Sequence, residues 1–288
     1  MKRLVLAFRE ASLRFSRDGC AFHAQAVAFN ALFTLFPLLV LIIGAGSFFF
    51  PNSQQRVLGF FHTFAPALQG FVAANLQSYI YGRGISSIVA LLFIIWSGKN
   101  LLMGLAFALD RALGVPKGRP LVHDIALAIV MLPLIGVLLL VAIALPVLLA
   151  LVITYANLPD RQHVTQFGGY AISMALVFIV IIVLYTFLPN RRVRWTFAVP
   201  GAIFVAILWP LVQFAFAQYT THVNFTRIYG ALSAPLVLLL WFYLMGSIFL
   251  FGAELCVGWA HLRGTLQVEE LIDQIEMPPV SATTATPP

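Results

Sequence analysis

Two ionisable side chains stand inside otherwise apolar runs of this chain. Lys99 lies in Trp96-Ser97-Gly98-Lys99-Asn100, and Glu254 lies in Gly252-Ala253-Glu254-Leu255. A charge near the centre of a bilayer costs at least ~2.5 kcal/mol, so such a group faces protein or a wet cavity and marks an ion pair or a contact with something charged. Asn30 and Gln25 lie in a third apolar run, Asn100 stands beside Lys99, and Asp110 with Arg111 closes the run that holds Lys99. At helical rise, Lys99 lies about 15 Å and Glu254 about 8 Å from the basic end of its run. Gln25, Asn30, Lys99, Asn100, Asp110 and Glu254 therefore share one half of the membrane, and only Gln213 and Gln218 are of comparable polarity in the other. The pattern predicts a polar interior lined by Lys99, Asn100, Glu254 and Asn30 that opens toward one face.

Three readings of the two charges stay open on sequence alone. They form a buried ion pair joining two helices. Alternatively, Lys99 is counter-ion to an anionic solute or lipid headgroup, with Glu254 as its exchangeable partner. In the third, each side chain snorkels to the surface. Catalytic chemistry has less to stand on. No G-x-S-x-G, P-loop or H-E-x-x-H pattern occurs, and those motifs carry the nucleophile, phosphate cradle or metal that their reactions need. Histidines 23, 62, 123, 163, 222 and 261 divide between both sides of the membrane, so they cannot converge on one metal. Cys20 and Cys256 have no CxxC or ligand spacing and read as unpaired thiols. No catalytic residue, metal or cofactor is expected.

The elements that must position these groups are long helices. The chain is 61% hydrophobic and 9% charged, too poor in charge to cover a soluble globule, which carries roughly a quarter. Six apolar stretches reach the length of about 20 residues that crosses a hydrocarbon core. They are Ala24–Phe50, Ile85–Leu109, Ile125–Thr154, Tyr170–Leu188, Thr196–Tyr219 and Gly230–Trp259. Each must be helical, because a backbone in lipid has to satisfy its own donors and acceptors. Pro37, Pro133, Pro146, Pro210 and Pro235 fall inside these runs and are expected to kink them. The fold class is all-α, a polytopic membrane bundle of about six transmembrane helices.

Charge orients the bundle. Twelve basic residues fall on the side of the two termini and four on the other, with Lys99 inside a span. This bias places both termini in the cytoplasm. It also accounts for the formal net charge of +7 as topology and lipid anchoring, so no nucleic acid is expected as a partner. Residues 1–23 read as a cytoplasmic amphipathic helix, with Leu4, Phe8, Ala11 and Phe15 on the apolar face lying on the inner leaflet. Residues 24–259 form the transmembrane domain, and 260–288 a cytoplasmic tail, disordered from about 277. Phe60, Phe61, Phe64, Phe71 and Tyr79 suggest helical pieces in the connection 51–84, and Glu269, Glu270, Asp273 and Glu276 a short acidic helix. Arg191, Arg192 and Arg194 follow Pro189-Asn190 and read as positive-inside anchors or as contacts for an anionic headgroup.

Several segments together resemble the YihY/virulence factor BrkB family of bacterial inner-membrane proteins. They are AVAFNALFTLFPLL from Ala26, IIWSGKNLLMGLAFALDRALGVP from Ile94, LYTFLPNRRVRW from Leu184, PGAIFVAILW from Pro200 and FTRIYGALSAPLVLLLWFYLMGSIFLFGAEL from Phe225. The resemblance covers about residues 15–260. It implies six spans with both termini inside, and a link to envelope integrity and to lipid or lipopolysaccharide transport. An older label in the family, ribonuclease BN, finds no nuclease-like metal ligands here. The chain departs from the family pattern at Asn30, commonly aromatic, and at Asp110, commonly Asn.

The reading that follows is an inner-membrane protein for transport or for lipid and envelope homeostasis, with membrane lipids, among them an anionic lipid or glycolipid, as partners. A non-transporting scaffold is the alternative and a ribonuclease the remote one.

Overall fold

The computed structural model describes residues 2–49, 83–115, 125–127, 130–138, 141, 161–190, 193–223, 225 and 229–264. These form α1 (Lys2–Arg17), α2 (Cys20–Phe49), α3 (Arg83–Ala112), α4 (Ile125–Leu138), α5 (Arg161–Phe187), α6 (Trp195–His222) and α7 (Ser233–Arg263). A single 3-10 turn, Gly230–Leu232, leads into α7. Helices thus occupy all six predicted runs over the described part of each. The remainder of Ile125–Thr154 beyond residue 141, the aromatic connection 51–84 up to Arg83, and the tail from 265 lie outside the described residues. Among the described residues, three stretches are long and apolar enough to cross a membrane, Leu91–Ala112, Trp195–Thr220 and Ser233–His261. Shorter apolar stretches run over Cys20–Leu35, Ile125–Leu138 and Met174–Phe187. The chain is an all-α membrane-embedded bundle.

The boundaries differ from the sequence expectation in ways that backbone chemistry explains. The N-terminal helix does not run to residue 23. It stops at Arg17, and Gly19 adopts φ +66°, a left-handed conformation that a side chain would strain,. The turn is closed by Asp18 N–H donating to the Arg14 carbonyl at 2.8 Å, and α2 starts immediately at Cys20. Helix α5 begins at Arg161, before the apolar run at Tyr170, because its polar first turns continue the same backbone ladder. Pro235 sits in the first turn of α7, where its missing N–H has no helical partner to lose, so it starts the helix rather than kinking it,. Pro37, Pro200 and Pro210 lie in helix interiors.

Helix α7 is the hub. It packs against α1, α2, α3 and α6, while α2 packs on α3 and α5 on α6. Helix α4 lies on α3, where Leu102 and Met131 are buried together. Helices α6 and α7 cross at close range. A Cβ placed on Gly201 would stand 2.2 Å from the Gly252 carbonyl oxygen and 2.5 Å from Cys256 Sγ, so the two backbones touch there. Such approach is the main source of helix association in lipid, where apolar surface alone gives no drive. Tyr185 on α5 reaches this crossing and donates its hydroxyl hydrogen to the Phe249 carbonyl.

Helix α1 corrects the expectation of a helix lying only on the leaflet. Ala7 and Ala11 are fully buried, packed with Leu255 of α7. Ala7 contributes a carbonyl 3.1 Å from where a Cβ on Gly258 would be. Phe8 meets Phe204 edge-on at 5.4 Å and Phe251 at 5.7 Å, and Phe15 meets Phe251 at 5.9 Å. The buried face is centred on Ala7 and Ala11 because small side chains let α1 and α7 approach closely.

Candidate functional site

Several polar groups gather at the end of the bundle where α1 meets the last turns of α7. Ala7, Ala11, Arg14 and Asp18 recur at three- and four-residue spacing, so Arg14 points along the same face that α1 buries. The Glu254 carboxylate on α7 is completely buried. Arg14 Nε donates to Glu254 Oε2 at 2.9 Å, and the Cys20 thiol donates to Oε1 at 3.3 Å. Arg14 also reaches the last-turn carbonyl of α3, Ala112 O, at 3.5 Å and lies 3.9 Å from Asp18. One guanidinium thus joins α1, the end of α3 and the buried acid of α7, while Cys20 adds the start of α2. Of the three readings left open for Glu254 and Lys99, an ion pair between the two is not what the fold supplies, since Glu254 pairs with Arg14. Depth along two helices fixed the height of both groups but not their direction around the helix axes, and α1 brings Arg14 into the space beside Glu254.

Two further contacts frame this cluster. Toward the chain ends, His261 Nδ1 and Glu10 Oε1 are 2.6 Å apart, an exposed second tie between α1 and α7. Beside it, Arg17 donates to Asp18 at 3.2 Å, and that bond and charge raise the Arg17 guanidinium pKa above its ordinary value. On the other flank, Asp110 Oδ1 accepts the Asn190 backbone N–H at 2.6 Å. This bond ties the end of α3 to the Leu188-Pro189-Asn190 corner between α5 and α6. An Asn at position 110 would offer the same acceptor, so the departure from the family pattern leaves the contact chemistry intact.

The other sequence candidates spread along the bundle. Asn30 is half-buried on α2, facing α3, with its amide nitrogen 3.1 Å from a Cβ position on Gly104. Lys99 and Asn100 are half-buried on α3. Ser97, one turn away, is 2% exposed and its hydroxyl has no partner among the described residues. Arg194 is exposed at the start of α6, and Arg191 and Arg192 lie outside the described residues. The fold therefore brings Glu254 together with Arg14 and Cys20, which sequence reasoning missed, and leaves Lys99 and Asn30 apart from them. The signal for Arg14 was present as Ala7 and Ala11, a small-residue stripe one turn before it.

Comparison with known proteins places the chain in a family of membrane proteins. The family model "Virulence factor BrkB" matches residues 11–270, and the chain belongs to that family. It is 27% identical over 261 residues to a UPF0761 membrane protein of Pseudoalteromonas translucida, covering 88% of this chain and 86% of the relative. A Bacillus subtilis protein named as ribonuclease-like, YfkH, is 24% identical over 245 residues, covering 80% and 86%. A UPF0761 membrane protein of Xanthomonas campestris pv. campestris is 27% identical over 254 residues, and there the chain spans 60% of the relative's length. No solved structure matches the chain. The matched family is one of membrane proteins and not a known enzyme family.

Proposed function

We propose that this chain binds an anionic lipid or glycolipid headgroup in the inner-leaflet half of the bacterial inner membrane, in lipid transport or envelope homeostasis, with both termini cytoplasmic. The observation that carries this reading is the fate of the two buried-depth charges. Glu254 is neutralised by Arg14. Lys99 is half-buried in a span and has no carboxylate partner among the described residues. A cation at that depth is stabilised by an anion, and a headgroup phosphate entering from the leaflet supplies one. Asn100 and Asn30 add hydrogen-bonding groups on α3 and α2. Arg191, Arg192 and Arg194 draw headgroups toward the same face, at about 1 kcal/mol per basic side chain near an anionic surface.

Native mass spectrometry with lipid analysis, on wild type beside Lys99→Ala, tests the reading. A defined anionic lipid that stays bound to wild type and is lost from the variant is expected. Equal, unselective lipid binding by both would remove Lys99 from the mechanism and favour a non-transporting scaffold.

A further inference from the structure

Helix α1 is attached to the bundle through contacts with α2, α3, α6 and α7. It joins α2 through the turn at Asp18-Gly19, where Gly19 takes a left-handed φ of +66°. Against α7 it lays the small side chains Ala7 and Ala11, the aromatic edge of Phe8, and two polar ties, Arg14 to Glu254 and Glu10 to His261. The opposite face carries exposed apolar side chains: Val5 is 65% exposed and Leu13 64%. Arg9 and Arg17 are exposed beside them. Apolar and basic residues mixed on one helix face are what an anionic membrane surface binds.

Glu254 makes the attachment more than packing. Its carboxylate has zero exposure, and Arg14 is the cation that meets it. A buried carboxylate stripped of its cation is strongly unfavourable unless water reaches it. Removing α1 therefore goes together with wetting the terminal end of the bundle, the end through which a headgroup would approach Lys99. Cys20 sits at the junction, completely buried, donating to the same carboxylate. Phe15 of α1 packs against the core cluster that holds it.

We propose that α1 is a latch: it pivots at Gly19, and Arg14 exchanges Glu254 for the phosphates of an anionic lipid surface, opening the terminal end of the bundle. Charge complementarity selects the occupant, since residues 1–17 hold five basic side chains and one acidic one. The latch deepens the headgroup reading above, because it regulates access to the same region. It does not need a lipid at Lys99 in order to be detected.

The two native thiols report on it. The full-length protein is placed in nanodiscs of phosphatidylcholine, with or without phosphatidylglycerol, and labelled with a water-soluble charged maleimide. Peptide mass spectrometry then gives separate rates for Cys20 and Cys256. Cys256 is buried under the α6–α7 crossing, with its thiol 3.6 Å from the Ala198 carbonyl, away from α1. In wild type, Cys20 should label about tenfold faster on the anionic discs, the effect of one to two basic side chains engaging the surface. In Arg14→Gln it should label quickly on both, by about a hundredfold over wild type on neutral discs, because one partner of a buried pair is gone. Cys256 should stay slow throughout. A wild-type Cys20 rate that ignores lipid charge overturns the latch, as does an Arg14→Gln rate as slow as wild type. Inorganic phosphate added to neutral discs should not speed labelling; if it matches the lipid, the surface is not what Arg14 recognises. Should Arg14→Gln expose Cys256 as well, that variant is misfolded and the wild-type lipid comparison decides alone. Lys99→Ala separates the two proposals: it should lose the co-purified lipid yet keep the wild-type lipid response of Cys20.

Discussion

The two ends of α7 are built on different principles. From Met245 to Ala260 nearly every residue is buried, and the contacts are directional: Arg14 on Glu254, Tyr185 on the Phe249 carbonyl, and Gly252 against Gly201. From Ser233 to Leu244 the described side chains are half-buried or exposed, and rings gather around Trp241. Trp241 lies between Phe216 at 5.0 Å and Trp209 at 6.4 Å, and Tyr219 meets Phe225 at 5.6 Å. Ring contacts tolerate sliding and rotation, whereas a buried charge or a glycine crossing accepts one arrangement. In lipid, where apolar surface does not by itself pull helices together, the register of the bundle is therefore set at its terminal end.

This contrast is most sharply broken at the ion pair. Arg14→Met strands Glu254, and breaking a buried pair costs about 3–5 kcal/mol. Hydrogen exchange should show protection lost from α1 and from the 250–260 stretch of α7, while the ring-packed end keeps its own. Adding Glu254→Leu should restore most of it, since an apolar pair of similar volume is often as stable as the ionic one. A uniform loss along the whole of α7 would erase the distinction between the ends. Next in size is Gly201→Ala, whose new methyl meets backbone rather than a flexible side chain. Overpacking of this kind costs about 1–3 kcal/mol, to be read as a lower Tm in detergent; an unchanged Tm would mean that α6 and α7 do not touch at this crossing. Smallest is Phe216→Leu at the other end, which keeps apolar bulk and loses ring geometry worth about 0.5–1.5 kcal/mol. If it destabilises as much as Gly201→Ala, the ring-packed end is not the adaptable one.

How much was legible in advance can be judged at particular residues. The helices under WSGKN and through Glu254 are legible in the sequence, because length and apolarity dictate helices in a membrane. The break at Gly19 is not, since basic and apolar residues continue through it and only the backbone angle records the turn. Asp110 looked like a helix-closing charge, and its bond to the Asn190 backbone depends on where the α5–α6 corner comes to rest.

The candidate site divides along the same line. Sequence alone put Lys99 and Glu254 inside apolar runs, with Asn30 and Asn100 in the same half, and read residues 1–23 as a basic amphipathic helix. Those conclusions need only the rise of a helix and the cost of charge in hydrocarbon. Only the tertiary structure decided that Glu254 belongs to Arg14, 240 residues away along the chain. A helix's height in the membrane follows from counting residues, but the direction its side chains face is fixed by which neighbour its small residues allow to come close. At Ala7, Ala11 and Gly258, that neighbour is α1 packed on α7.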